Sequence, residues 1–195
     1  MSRKPRQESP IGVYHWICRG IHKKDLFHRP QDYDFFKKLL GEYKTSFDIH
    51  IYHYCLMTNH VHLLIYSPTL ENMAKFSQLV QRRYAYYYCG SYRWVGNVFQ
   101  RGYRSLPVDK DTYLLECGRY IERNPPKASI AKHPASYPYS SFRYYGCGEQ
   151  DDLLTPSPAY LGLADTEEGR MAIYDEYVTE SRLQEEMAGA KQIPF

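Results

Sequence analysis

The chain of 195 residues has no run of eighteen apolar residues, so no membrane-spanning helix is expected. It has no CxxC pair. Its five cysteines (Cys18, Cys55, Cys89, Cys117 and Cys147) are odd in number and far apart, which argues against a disulfide framework. The opening MSRKPRQESP is basic and lacks an apolar h-region, so no secretory signal is expected, and the expected compartment is a reducing cytoplasm. No internal repeat or low-complexity tract is present, and the length suits one domain with an appendage.

Charge is present but uneven. Residues 1–150 carry 22 Lys/Arg against 12 Asp/Glu, a balance of +10, while residues 151–195 carry 3 against 10, a balance of −7. A basic body favours a polyanion such as nucleic acid, and an acidic tail shields that surface or keeps the chain soluble. We therefore divide the chain into a body, 1–150, and an acidic, partly helical extension, 151–195. Twenty-one tyrosines are many. Most are expected in the core; any that are exposed could stack on bases.

The apolar pattern gives an order of elements. GVYHWIC (12–18) reads as a strand, and QDYDFFKKLLGEYKTSF (31–47) has helical spacing at Phe35, Phe36, Leu39, Leu40 and Tyr43. Residues 49–57 and 60–66 read as two strands joined by the Thr58-Asn59 turn. Thr69 caps a long helix with a stripe of Met73, Phe76, Val80, Tyr84 and Tyr87. Residues 98–108 are extended, and Asp109 or Asp111 caps a helix running to about Arg123, where Pro125-Pro126 stop it. Residues 127–160 look loop-rich, and 167–188 form a last helix. The expected fold is α+β: a ferredoxin-like βαββαβ antiparallel sheet with helices on one face, plus an added helix.

Two short motifs carry chemistry. In NHVHLLI (59–65), strand alternation puts His60 and His62 on one face and Val61, Leu63 and Ile65 on the other. Neutral imidazoles two residues apart can share a divalent cation, though such pairs are also found in ordinary packing. In GRYIERNPP (118–126), Tyr120 and Asn124 stand one helical turn apart. A tyrosine oxygen is a possible nucleophile, and an asparagine amide oxygen is a possible third ligand for Mg²⁺ or Mn²⁺. Core packing and a helix cap are the plainer readings of these two residues.

MTNHVHLLI, FQRGYRS, RYIERNP and YPYSSFRYYG occur in the order and spacing of the single-tyrosine HUH transposases. From about Val13 to Leu154 the chain resembles that family, and within it the REP-associated tyrosine transposase group. The resemblance implies that His60, His62 and Asn124 are metal ligands and that Tyr120 is the nucleophile. It implies attack on a phosphodiester of single-stranded DNA beside a hairpin, a 5′-phosphotyrosine intermediate, a free 3′-hydroxyl and later strand joining. Arg19, Arg82, Arg83, Arg101, Arg104 and Lys127 are candidate phosphate contacts. Thr58, where the family more often has proline, and Pro126, where it has a β-branched residue, depart from the pattern away from the proposed chemistry. A retired transposase that binds hairpin DNA without cutting is one alternative, and a small structural zinc protein using His60 and His62 is another. Both a monomer and a homodimer fit the family.

Overall fold

The computed structural model describes residues 6–110 and 112–181, apart from the side chains of Arg101 and Thr112. Four strands, β1 (Val13–Gly20), β2 (His50–Met57), β3 (His60–Tyr66) and β4 (Phe99–Val108), form one sheet. Their order is β2-β3-β1-β4, with every neighbouring pair antiparallel. With α1 (Pro30–Ser46) between β1 and β2 and α2 (Leu70–Tyr92) between β3 and β4, this is the ferredoxin-like βαββαβ plan.

Helices α1 and α2 cover one face. They pack Phe36, Leu40, Phe76, Val80 and Tyr84 against Tyr14, Trp16, Val61, Leu63 and Ile65. The start of α1 is fixed by Asp32, whose buried carboxylate accepts the backbone N–H groups of His28 (2.8 Å) and Arg29 (3.1 Å). Its oxygens also accept the hydroxyls of Tyr87 (2.8 Å) and Tyr92 (2.6 Å), so α1 and α2 are tied at that end. Thr69 caps α2, accepting the N–H of Asn72 at 3.0 Å. Across the interface the Trp16 indole donates to Ser77 Oγ at 2.7 Å.

The opposite face carries α3 (Thr112–Glu122), which lays Leu114, Cys117 and Ile121 on Cys55, Met57, Leu64 and Val108. Asp111, the alternative cap for this helix, lies outside the described residues. The chain does not stop at the two prolines. Asn124–Lys127 forms a one-turn helix, α4, in which Pro125 and Pro126 occupy first-turn positions that need no N–H donor.

Residues 127–160, expected to be mostly loop, contain a short 3₁₀ helix (Pro134–Ser136) and two more short helices, α5 (Phe142–Cys147) and α6 (Pro158–Leu161). This segment seals the outer edge of β2: Leu56 N–H donates to Tyr139 O (2.9 Å), and Thr155 N–H to Ile51 O (2.9 Å). The last described helix, α7 (Glu167–Thr179), buries Tyr174 and Val178; residues 182–188 of the expected helix lie outside the described residues.

Several buried tyrosines are used as apolar plates with a hydroxyl that reaches a main-chain carbonyl. Tyr84 donates to Leu26 O, Tyr137 to Leu56 O and Tyr145 to Tyr52 O, at 2.6–2.7 Å. Each such bond satisfies a buried carbonyl and the phenol together. Among the described residues no helix is long and apolar enough to cross a membrane.

Candidate functional site

The histidine motif lies on the α3 face. Strand alternation sends Val61, Leu63 and Ile65 into the α1/α2 core and brings the His60 and His62 rings together, centroids 4.9 Å apart. The turn before them sets the first ring. Asn59 Nδ2 donates to Lys23 O at 3.0 Å, which turns Asn59 Oδ1 toward His60 Nδ1, 2.7 Å away. A carbonyl oxygen can only accept, so the proton sits on His60 Nδ1, and Nε2 is its basic nitrogen. The turn depends on Gly20, whose N–H donates to Asn59 O at 2.9 Å; a Cβ there would fall 2.0 Å from the carbonyl oxygen of Lys24.

Burial keeps both rings neutral. It lowers the pKa of His60 to about 4, with the Arg19 charge adding to the effect. It takes His62 well below the ordinary value, with His15, His60 and Arg19 contributing further. Arg19 stands directly opposite His60 in the β1–β3 ladder.

Helix α3 crosses above. Tyr120 is half-buried, and its ring centroid lies 6.0 Å from that of His62 and 5.7 Å from that of His15, edge-on to both. Its hydroxyl makes no hydrogen bond among the described residues. Desolvation raises its pKa, so the phenol is protonated at neutral pH. The Lys127 ammonium lies 4.8 Å from the ring centroid and supplies positive charge beside it. Asn124 folds back one turn, donating from Nδ2 to Tyr120 O (2.8 Å) and Ile121 O (3.0 Å). Two carbonyl neighbours fix the amide orientation and leave Oδ1 as the atom with ligand chemistry. The plainer expectation for Asn124, a C-terminal cap, is thus realised by the same side chain.

The candidate phosphate contacts divide. Arg104 is exposed on β4 opposite Ile17, which itself faces His62, so register puts Arg104 on the same sheet face as the histidines. Arg19 and Lys127 join it there. Arg82 and Arg83 are exposed on α2, beyond the other face of the sheet, and are not brought to the histidines. Arg101 belongs to β4, but its side chain lies outside the described residues.

Sequence reasoning missed the groups that hold this arrangement in place. Glu122, fully buried at the end of α3, accepts Ser141 Oγ (2.5 Å) and Tyr174 Oη (2.8 Å) and bonds His53 Nδ1 (3.0 Å). Gly118 lets α3 sit this low, since a Cβ there would meet the His53 ring at 2.7–2.9 Å. From above, the buried Arg119 donates to Tyr177 O (3.0 Å) and Glu180 O (2.9 Å), and Tyr177 Oη donates to Glu116 at 2.6 Å. The acidic extension therefore braces the tyrosine-bearing helix. The scattered positions of these residues gave no signal, because all of these contacts except Glu122–Ser141 join residues more than fifty positions apart. His15 is a further omission: it is fully buried, and its Nε2 lies 2.9 Å from His62 Nδ1.

Among the described residues no group of three His, Cys, Asp or Glu is placed to hold a metal ion, so the closed cage of a structural zinc site has no ligand set here. Two neutral imidazoles on one sheet face, with an amide oxygen one turn beyond the tyrosine that meets them, have the donor chemistry of an open site for a divalent cation.

A family model for IS200-like transposases matches residues 12–124, more than half of the chain. The chain belongs to the IS200-like transposase family. The matched stretch runs from the residue before β1 to Asn124 and includes His15, Arg19, His60, His62, Arg104, Tyr120 and Asn124, whereas Lys127 and the bracing residues of the C-terminal part lie beyond it. The fold is shared with a REP-associated tyrosine transposase solved bound to a REP hairpin. The TM-score is 0.64 at 16% identity, over 80% of this chain and 96% of that one. A candidate transposase of Deinococcus radiodurans R1 aligns with a TM-score of 0.43 at 20% identity, over 63% of this chain and 97% of that one. No curated protein matches.

Proposed function

We propose that this transposase is a single-strand DNA nuclease and strand transferase of the REP-associated tyrosine group, cutting beside DNA hairpins with Tyr120 as nucleophile. The observation that supports this reading is the convergence of the His60 and His62 rings with a half-buried tyrosine whose hydroxyl makes no hydrogen bond among the described residues. Tyr120 Oη attacks phosphorus, and the bond from phosphorus to the 3′ oxygen breaks. The phenol proton is released, and the departing 3′ oxygen takes up a proton to become a free hydroxyl. The product is a 5′-phosphotyrosine, and a 3′-hydroxyl can reverse the step and join strands without ATP. A divalent cation, Mg²⁺ or Mn²⁺, held by His60, His62 and Asn124 Oδ1, would polarise the phosphate and offset its developing charge.

The protein's own residues do the rest. Asn59 orients His60, and the cap made by Asn124 ties the third ligand to the backbone of Tyr120 itself. Arg19, Arg104 and Lys127 supply a cationic border that would hold an unpaired strand across the histidine face.

The test is a covalent-adduct gel. Purified protein meets 3′-labelled single-stranded hairpins with randomised flanks in Mg²⁺ or Mn²⁺. A labelled band at protein mass, absent in Tyr120→Phe, is expected. Retention of the hairpins with no adduct in either metal would replace this reading with that of a non-cleaving hairpin binder.

A further inference from the structure

The α3 face of β1 is apolar where it meets its neighbours. Val13 and Ile17 flank His15 on that face, and Leu64 and Leu106 stand opposite it in the two ladders. A leucine or phenylalanine at position 15 would satisfy this environment. Yet the residue is a histidine with no exposed surface, and a buried polar ring needs a reason. No backbone group supplies one. Among the described residues His15 Nδ1 has no hydrogen-bond partner, and the ring's polar contact is the 2.9 Å approach of Nε2 to His62 Nδ1. The two rings stack at 29° with centroids 5.1 Å apart, a diagonal pair across the β1–β3 ladder, and the edge of the same cluster meets Tyr120.

We infer that His15 is a positioning residue: it fixes the plane of the His62 ring and, by accepting a proton at Nε2, selects the His62 tautomer whose Nε2 can ligate a cation. The inference rests on the metal site proposed above. One proton lies between the two facing nitrogens. When it resides on His62 Nδ1, His62 Nε2 is basic and His15 carries its own proton on Nδ1. When it resides on His15 Nε2, His62 Nε2 is protonated and cannot ligate. The pair is thus a coupled tautomer switch, and a cation at His62 requires the first arrangement. His60 obtains the same result from Asn59 in the neighbouring turn. The two ligands are therefore oriented by different means, one local and one through a partner on the central strand.

The test uses the full chain. Long-range proton–nitrogen spectra of the histidine rings at neutral pH, recorded with and without Mg²⁺, report the tautomer of His62 directly. In wild type the Mg²⁺-loaded protein should carry the His62 proton on Nδ1. Calorimetry with Mn²⁺ then compares H15F, which keeps an aromatic ring but cannot accept a proton, with H15Q, whose amide oxygen can. H15F should bind Mn²⁺ about 10–100-fold more weakly, and H15Q should recover most of the loss. A His62 proton on Nε2 in the loaded wild type, or H15F binding Mn²⁺ as wild type does, overturns the inference while leaving the metal site standing. A wild-type protein in which neither His60 nor His62 responds to Mg²⁺ or Mn²⁺ defeats the metal site and the inference together. The wild-type tautomer is read without any variant, so it decides the matter even if H15F does not fold.

Discussion

The two faces of the sheet are built from alternate residues of the same strands, yet they differ in kind. On β3, Val61, Leu63 and Ile65 enter a dry aromatic core under α1 and α2, where hydroxyls and indoles are satisfied by the fold itself. On the same strand His60 and His62 face α3, where polar ring atoms meet one another and the Asn59 amide. The first face supplies stability that the second can spend on burying three imidazoles close together. The sharpest difference is therefore expected between neighbouring positions, not between distant parts of the chain.

The largest effect should come from exchanging the two roles. Leu63→Ala removes a fully buried side chain and should cost about 2–5 kcal/mol, seen as a lowered melting temperature. His60→Ala, half-buried and on the other face, should leave melting nearly unchanged but reduce cleavage by more than about 100-fold. A large stability loss in His60→Ala with cleavage retained would erase the distinction. Next in size is Glu122→Ala, which strands Ser141, Tyr174 and His53 under α3. It should cost about 3 kcal/mol in urea unfolding and slow adduct formation although Tyr120 is untouched. Unchanged unfolding would mean that the network does not hold α3.

Acid should weaken the site-bearing face first. Burial lowers His15 from 6.5 to about 3, so the unfolded chain binds its proton first as pH falls. The stability contribution is complete above about pH 6.5 and is lost progressively as pH drops toward 3. For His15 alone the loss between pH 7 and pH 5 is about 2 kcal/mol. Urea midpoints across that range should fall in wild type and fall less in H15F; parallel curves would contradict the burial argument. The smallest effects belong to the surface cations. Arg104→Ala or Lys127→Ala should weaken hairpin binding and reduce its salt slope by about one each, whereas Arg82→Ala and Arg83→Ala, on α2, should leave both nearly unchanged. The reverse order would move the DNA path to the α2 side.

Much of this architecture was legible because local pattern and global fold agree. The period-2 alternation through NHVHLLI gave both the strand and its two faces, and Thr69 announced the start of α2. Tyr120 and Asn124 were legible as a pair because both lie within one turn. The supports were not. His15 reads as one histidine in an apolar strand, and only the β1–β3 register brings it to His62. Glu122 and Tyr174 are 52 positions apart, and their contact depends on how the acidic extension returns over α3. The helices of 127–160 were hidden by prolines, which in Pro134, Pro158 and the Pro125-Pro126 pair stand in first turns rather than ending helices.

The most direct test of the central claim is to locate the covalent bond. After reaction with a hairpin substrate in Mn²⁺ and nuclease trimming, trypsin releases residues 120–123 as a separate peptide, since Arg119 and Arg123 bound it. Mass spectrometry should find the nucleotide phosphate on that peptide, at Tyr120. A phosphate on Tyr113 would move the nucleophile along α3 and contradict the role of Tyr120, and one on Tyr103, which stacks against Trp16 on the other face of the sheet, would contradict the assignment of function to the α3 face.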